Sequence, residues 1–467
     1  MPTTRYHRSN LAVVALGISA FVVFHGSLAL ASLHRLSPNT VDLSLFSQAL
    51  WSLDSGHAPL STIHATAAPV NVLGEHFMPI LYLFEVFFHF WPRPQTLVLL
   101  HVLGLGLGAV PLFAVLEKII GEEGAVYLTL AYLASPVLAF SASDMFVPES
   151  FSAGLFIAAV WALREGRRTA YATLLVLALC CRETGGLVAA FLGLLTAAET
   201  EHRREGLLTA AFGFAWFFAC ILWVQPRLGF NNPLGPLGLL ASDQITTPAF
   251  VLSHLMIEAP ALFLGLFTPA KSLYIFKLLL PSGFLPLLRP AWLLPAVPLL
   301  ALVLIVAKRN LLLDNLPWYI IPAYPFFFVA AAHAANSNQR LRRYGPRWAL
   351  GCALSSYLLF SPRLVVAYCA SMLEPVERSR ASLIRQAAAL VPPNASVSAF
   401  DRALPLLYTR DFEFFYPRRW DRAQYVLVDL SQYRPSSSDT PEAALLSTGY
   451  RPLYSRSGIF LFQKTER

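Results

Sequence analysis

Long apolar runs separated by short polar clusters occupy most of the chain. No Asp, Glu, Lys or Arg occurs between Arg8 and Arg35, a run too long for a cleaved leader and typical of a transmembrane helix. Comparable uncharged runs follow at 95–116, 124–143, 150–163, 169–181, 184–198, 206–226, 290–307, 315–339 and 348–362, with another near 271–288. The pattern predicts a mainly α fold, a polytopic bundle of about eleven membrane spans.

The pattern changes near residue 374, where polar residues increase and the apolar runs shorten to strand length. Three such runs lie at 396–400, 425–430 and 458–463, and helical patterns alternate with them. This alternation predicts a small α/β domain. We therefore predict a membrane domain over 1–373 and a soluble C-terminal domain over 374–467.

Composition and charge agree with a membrane protein. The 467 residues are 56% hydrophobic and 13% charged, whereas a soluble domain is about 25% charged. The net charge of +8 resides in short clusters between apolar runs, such as 164–168 and 340–347. Such clusters mark the cytoplasmic side of a membrane rather than a nucleic-acid surface. We predict a bacterial inner-membrane protein with a cytoplasmic N-terminus and an extracytoplasmic C-terminal domain.

The same tracing places residues 33–94 in a first extracytoplasmic loop. Within that loop, residues 77–91 are apolar and aromatic but too short for a straight span. They predict an interfacial or re-entrant helix. The five cysteines have no metal-ligand spacing and are typical of small residues in membrane helices.

Ionisable side chains near the outer surface are the candidate functional residues, because such groups are costly at membrane depth. They fall into four places along the chain: Asp42 with His76, Asp144 with Glu149, Arg182 with Glu183, and a segment that contains Lys308, Arg309 and Asn315. Each has a simpler explanation. Asp42 could cap a helix, His76 could be an ordinary hydrogen-bonded histidine, Arg182 and Glu183 could form an ion pair, and the cations of the last segment could contact lipid head groups.

Group transfer from a lipid-phosphate donor is the chemistry that needs this set. A carboxylate would deprotonate an acceptor hydroxyl, and basic side chains would hold the departing phosphate. The glycines of 104–110 lie inside an apolar run, where they favour helix packing over nucleotide binding. A donor carried on a polyprenyl phosphate is consistent with this arrangement.

Several motifs resemble an uncharacterised bacterial family of membrane proteins near the GT-C membrane glycosyltransferases, which include protein O-mannosyltransferases and the aminoarabinose transferase. They are VDLSLFSQALW at 41–51, GEHFMPILYLF at 74–84, FVPES at 146–150, RETG at 182–185 and NLPWYIIPAYPF at 315–326. The resemblance implies that Asp42 is the catalytic base and that Glu149 or Asp144 is a second acid. It also implies phosphate binding by Arg182 and by Lys308 or Arg309.

The chain departs from the pattern of this family at three polar positions. Ser47 replaces a second Asp, Val147 replaces a His, and Thr184 replaces an Asp. A divalent metal is therefore possible but not supported, and no other cofactor is predicted.

The sequence predicts an integral membrane glycosyltransferase that moves a sugar from a polyprenyl-phosphate donor to an outer-face acceptor, a glycan, lipid or protein. Asp42 and Glu149 are the predicted catalytic residues. The predicted substrate-binding residues are His76, Asp144, Arg182, Glu183, Lys308, Arg309 and Asn315. Two alternatives remain, a lipid-linked sugar transporter or flippase and a non-catalytic membrane assembly protein.

Overall fold

The computed structural model describes residues 3–37, 40–64, 68–143, 146–229, 268–306, 317–361, 366, 380–430 and 441–465. Helices dominate it, as the apolar runs predict. The helices of the first half are α1 (Thr3–His34), α2 (Val41–Asp54), α3 (Val72–Glu75), α4 (Leu81–Phe90), α5 (Pro94–Leu107), α6 (Ala109–Ile120), α7 (Glu122–Leu133), α8 (Pro136–Ser143), α9 (Ser152–Arg164), α10 (Arg168–Leu179), α11 (Gly185–Ala197), α12 (Arg203–Ala219) and α13 (Gln225–Arg227). A short 3-10 helix, Pro148–Ser150, precedes α9, and a π-helical turn, Cys220–Val224, links α12 to α13.

The later helices lie in a part of the chain where prolines interrupt several apolar runs. They are α14 (Pro269–Leu279), α15 (Val297–Val306), α16 (Pro325–Ala335), α17 (Gln339–Phe360), α18 (Arg380–Ala388) and α19 (Pro441–Ser447). The 3-10 segments Pro290–Ala296 and Pro317–Ala323 precede α15 and α16, and each contains an internal proline. Proline removes a backbone donor and clashes with the preceding turn, so these apolar runs do not form one continuous α-helix.

Three helical stretches of the described chain are long and apolar enough to cross a membrane: Asn10–His34, Pro94–Ile120 and Thr200–Arg227. The pair α7 and α8, bent by 41°, would add a fourth if it forms one span. Five shorter apolar helices accompany them. The chain is thus a mainly helical membrane protein, whereas the predicted number of about eleven spans is not confirmed.

The helix α4 has two distinct apolar faces. Leu81, Phe84 and Phe88 are buried against the bundle, whereas Phe87 and Phe90 are exposed. An exposed aromatic face suits a helix that lies in the membrane interface. The predicted interfacial position of this segment is consistent with that surface and stays a prediction.

Glycines bring the helices α11 and α12 into backbone contact. Gly186 and Gly193 of α11 face Gly213 and Gly206 of α12, so each glycine sits against the backbone of the other helix. A Cβ atom at Gly193 would lie 2.6 Å from the carbonyl oxygen of Gly206, closer than any real Cβ contact. Small residues commonly allow such close approach between membrane helices.

We expect Gly193→Ala to destabilise the protein by about 1–3 kcal/mol, because the added methyl group forces the two backbones apart. Gly351→Ala is the matched control, since a Cβ atom there meets no heavy atom within 4 Å. Thermal unfolding in detergent would measure both variants. Equal unfolding temperatures would show that this helix contact does not limit stability.

The C-terminal part of the chain forms a five-stranded sheet in the order β4-β3-β5-β7-β6, with β3 (Val397–Ala399), β4 (Glu413–Phe415), β5 (Tyr425–Asp429), β6 (Tyr450–Arg456) and β7 (Ile459–Lys464). β3 pairs in parallel with β4 and β5, while β7 pairs antiparallel with β5 and β6. The predicted apolar strands correspond to β3, β5 and β7. β4 and β6 were not predicted, because their residues are mixed in polarity. The domain boundary predicted at 373/374 lies outside the described residues.

The segment between α1 and α5 packs directly on this sheet. Its short strands β1 (Leu60–Ser61) and β2 (Val70–Asn71) pair antiparallel. The Thr62 hydroxyl donates to the carbonyl of Glu413 at 2.7 Å, and the Gln48 amide donates to the carbonyl of Arg410 at 2.9 Å. The C-terminal sheet therefore helps to hold the loop that carries Asp42.

Candidate functional site

Three segments that are distant in sequence meet beside α2. Residues 76–80 follow α3, residues 180–184 link α10 to α11, and residues 148–150 form the 3-10 turn before α9. The amide of Ile80 donates to the carbonyl of Cys180 at 3.0 Å, and the amide of Phe77 donates to Glu183 Oε2 at 2.9 Å. These backbone contacts fix the loop on the α10–α11 turn.

Arg182 is the central residue of the site. It is 7% exposed, and its Nη1 forms a short ion pair with Oε1 of Glu149, which is 2% exposed. Its Nη2 donates to His76 Nε2 at 2.8 Å, while its guanidinium lies 4.9 Å from the centre of the Tyr319 ring. Burial alone would lower the pKa of Arg182, but Glu149, Tyr319 and Glu183 raise it. The guanidinium of Arg182 therefore stays charged, and its contacts with Glu149, His76 and Tyr319 fix its position.

One donor of Arg182 remains unused among the described residues. Its buried Nε has no hydrogen-bond acceptor there, and the nearest carboxylate oxygen, Glu183 Oε1, lies 3.7 Å away. A buried donor without an acceptor is unfavourable and rare in folded proteins. This N–H is therefore a donor whose hydrogen-bonding capacity the described residues do not satisfy.

Glu183 completes the pairing of His76. The His76 Nδ1 lies 3.0 Å from Glu183 Oε1, so both ring nitrogens of His76 are engaged, one by a carboxylate and one by Arg182. Burial would raise the pKa of Glu183, but His76 and Arg182 outweigh it and lower the pKa to about 2. Glu183 is thus an ionised side chain that orients His76.

We expect Glu183→Gln to reduce stability at pH 7 by roughly 3 kcal/mol, because folding lowers the pKa of Glu183 from 4.5 to about 2 and one pKa unit corresponds to about 1.4 kcal/mol. The pKa is lowered on folding, so this contribution is present above the ordinary carboxyl pKa of 4.5 and is lost as the pH falls toward about 2. Chemical unfolding at several pH values would measure it. A stability difference that does not shrink below pH 4.5 would contradict the prediction.

Asp42 faces the same group of charges from the first turn of α2. Thr40 is the N-cap residue, so Asp42 is not the helix cap. Its side chain is solvent exposed, yet surrounding protein raises its pKa. His64, His76 and Arg182 partly offset this rise in pKa, whereas Glu75 adds to it.

Two residues of this site were missed from the sequence. Glu75 Oε2 lies 3.4 Å from His64 Nδ1, and both interact electrostatically with Asp42. Burial would raise the pKa of Glu75, but His64, His76 and Arg182 lower it. The position of Glu75 next to His76 was a usable signal, whereas His64 stands in a sequence with no distinguishing pattern.

The structure brings together Asp42, His76, Glu149, Arg182 and Glu183 of the predicted set. Asp144, Lys308, Arg309 and Asn315 lie outside the described residues. Within the described chain, one further group has metal-ligand character: Asp54, Glu85 and His89. It lies at the far end of α2, and the 2.6 Å hydrogen bond between His89 and Asp54 accounts for it without an ion.

Comparison with solved structures defines the fold class. The chain is similar to ArnT from Cupriavidus metallidurans bound to undecaprenyl phosphate, with 15% identity over 96% of this chain and 97% of that chain and a TM-score of 0.59. The apo state of that protein gives 15% identity, 99% and 98% coverage and a TM-score of 0.58. An oligosaccharyltransferase from Archaeoglobus fulgidus aligns with 11% identity over 99% and 74% of the two chains, with a TM-score of 0.46. The fold is GT-C-like.

The chain belongs to the family described as "Predicted membrane protein (DUF2079)", which matches residues 32–461. No curated protein matches it. The predicted resemblance to this family and to GT-C proteins is therefore confirmed.

Proposed function

We propose that this protein is a membrane glycosyltransferase that moves a sugar from a polyprenyl-phosphate donor to an acceptor hydroxyl on the outer face of the bacterial inner membrane. The observation that carries the proposal is the convergence of Asp42 with the charged network of His76, Glu149, Arg182 and Glu183 in a GT-C-like fold. A carboxylate that acts as a base, a buried cation and an apolar bundle are the components that this reaction needs.

Asp42 is the proposed general base. It takes the proton of the acceptor hydroxyl as the acceptor oxygen attacks the anomeric carbon of the donor sugar. The bond from that carbon to the phosphate oxygen breaks, and its electron pair leaves with the lipid phosphate, so the anomeric configuration inverts. The raised pKa of Asp42 suits the role of general base, because a base works best when its pKa approaches the operating pH.

Arg182 is the proposed phosphate ligand, through its unused Nε donor. An arginine donor strengthens as negative charge grows on the leaving phosphate, and this stabilises the transition state. Glu149 and Glu183 hold the guanidinium but also cancel its charge. We therefore propose that Lys308 and Arg309 supply further positive charge to the phosphate, while Asp144 and Asn315 contact the sugar or the acceptor.

The location of the site in the membrane is also part of the proposal. With a cytoplasmic N-terminus, α2 and the C-terminal sheet lie on the outer side. The exposed apolar face of α4 would then lie in the outer interface. ArnT, the neighbour of this fold, was solved with undecaprenyl phosphate, which supports a lipid of that class as the carrier.

Undecaprenyl phosphate is the probe for this proposal. We expect it to raise the unfolding temperature of the purified protein, whereas undecaprenol, which has the same tail but no phosphate, should not. A panel of undecaprenyl-phosphate sugars, incubated with the protein and bacterial envelope fractions, should then release undecaprenyl phosphate as the sugar is transferred.

Three outcomes distinguish the alternatives. Release of undecaprenyl phosphate that requires both the protein and the acceptor supports sugar transfer. Movement of intact lipid-linked sugar between the leaflets of vesicles, without cleavage of the sugar–phosphate bond, would identify a transporter instead. No effect of undecaprenyl phosphate and no release would contradict the proposal and favour an assembly role.

A further inference from the structure

The first turn of α2, which carries Asp42, is held by the C-terminal sheet domain. Its N-cap residue, Thr40, is 0% exposed and makes no side-chain bond to the helix that it begins. Thr40 is instead hydrogen-bonded to Asp401, which lies 361 positions away in the chain. The Oδ1 atom of Asp401 accepts from the Thr40 amide at 2.7 Å and from the Thr40 hydroxyl at 2.8 Å. The same hydroxyl lies 2.6 Å from the Asp401 carbonyl oxygen.

This arrangement reproduces a capping box with its acid supplied from another domain. In a capping box, an acid three residues into the helix accepts from the N-cap amide. Residue 43, at that position, is Leu43, which cannot accept a hydrogen bond. The carboxylate of Asp401 therefore satisfies a backbone donor that α2 leaves open and places negative charge at the positive end of the helix.

The turn that leads into α2 is held from the same side. Leu36 has a left-handed backbone, with φ of 49°, and is 1% exposed. Such a conformation is unfavourable for a leucine and persists only when its surroundings enforce it. Arg402 donates to the Leu36 carbonyl and Arg385 donates to the His34 carbonyl. The C-terminal domain thus contacts the chain both where α1 ends and where α2 begins.

Asp42 lies two residues beyond Thr40, so its carboxylate is positioned by that starting point. We propose that Asp401 is a positioning residue for Asp42, and that the C-terminal domain holds the catalytic base at its working position. This inference rests on the proposed role of Asp42. The C-terminal domain would then take part in the reaction, by positioning Asp42, instead of binding a separate partner.

Asp401 is one contact among several between the two parts of the chain. Thr62 with Glu413, Gln48 with Arg410, and the Tyr408 hydroxyl with the Pro92 carbonyl at 2.6 Å do not involve it. The sheet should therefore remain docked when Asp401 alone is changed. We expect the effect of a substitution to be largest at the start of α2.

The test compares two variants, Asp401→Ala and Thr40→Val, with Thr40→Ser, which keeps the hydroxyl. Asp401→Ala removes the carboxylate that accepts from the Thr40 amide, and Thr40→Val removes the hydrogen bonds of the Thr40 hydroxyl to Asp401. Asp421→Asn is the matched control, since Asp421 is an exposed acid of the same domain. We expect the first two variants to lower kcat by about 10- to 100-fold with little change in KM for the lipid donor, because a misplaced catalytic group loses rate rather than binding. Thr40→Ser and Asp421→Asn should retain wild-type kcat.

Hydrogen exchange separates positioning from general damage. The amides of residues 41–44 should exchange faster in Asp401→Ala, while those of β5 and of α9 stay as in the wild type. If Asp401→Ala does not fold, Asp401→Asn and Thr40→Val carry the same test. Wild-type kcat in the cap variants, with Asp42→Asn inactive, would overturn the positioning role and leave the proposed function intact. Full activity in Asp42→Asn would overturn both.

Discussion

Asp42→Asn should lower the rate of sugar transfer by about 10²- to 10⁴-fold, the range that a general base contributes. Asparagine has nearly the same shape but cannot take the proton of the acceptor hydroxyl. The measurement is kcat for release of undecaprenyl phosphate from the donor, with protein in lipid nanodiscs. Binding of undecaprenyl phosphate should be unchanged, because Asp42 contributes no attraction to a phosphate.

The same substitution should not weaken the fold. The surrounding protein partly desolvates the exposed Asp42 carboxylate and raises its pKa, so the folded protein disfavours the ionised form, and a neutral asparagine relieves that cost. We expect an unfolding temperature equal to or above that of the wild type. Asp54→Asn, at the other end of α2, is the control and should keep full activity. Transfer within twofold of wild type in Asp42→Asn would exclude this residue as the base.

The residues of the charged network could be predicted because the free-energy cost of placing an ionisable side chain beside an apolar run can be recognised from the local sequence. An ionisable side chain next to an apolar run stands out in the sequence, whatever the fold around it. Arg182 and Glu149 were therefore found without knowledge of their contact, which joins positions 33 apart in the chain. That they form one site depends on the packing of α9, α10 and the segment between α1 and α5, whereas the sequence alone predicts only that they share a side of the membrane.

Other features were not readable from the sequence for identifiable reasons. The predicted number of about eleven spans is not confirmed, since hydropathy counts apolar runs, whereas prolines such as Pro295 and Pro322 break these runs into 3-10 and α segments. The hydrogen bonds between Thr40 and Asp401 could not be predicted, because neither local sequence contains a pattern that pairs it with the other. β4 is missed because Glu413, buried inside it, reads as a surface residue.

Glu413 shows how much tertiary structure can override local chemistry. Both of its carboxylate oxygens are buried without a hydrogen-bond partner among the described residues. Burial raises its pKa well above the ordinary value, and the nearby Arg410 offsets this only in part. The sequence pattern predicts a solvent-exposed acid at this position, yet Glu413 is buried where the sheet contacts the segment between α1 and α5.

Arg182→Gln should cost about 3–5 kcal/mol of stability and abolish transfer, because it leaves Glu149 buried and charged without its partner. The loss of activity could then result from unfolding alone, so the double variant Arg182→Gln/Glu149→Gln is decisive. It removes both charges together and keeps two side chains of similar size that can hydrogen-bond. We expect it to regain most of the stability, since replacing a buried ion pair by neutral groups is often nearly neutral.

Activity should not return with that stability. If Arg182 holds the phosphate, the double variant should unfold close to the wild-type temperature and still fail to bind undecaprenyl phosphate or to transfer a sugar. Glu149→Gln alone, which keeps the guanidinium, should retain phosphate binding. The comparison separates two roles of one side chain, because the ion pair can be replaced for folding but not for charge stabilisation at the leaving phosphate. Recovered transfer in the double variant would show that Arg182 has only a structural role.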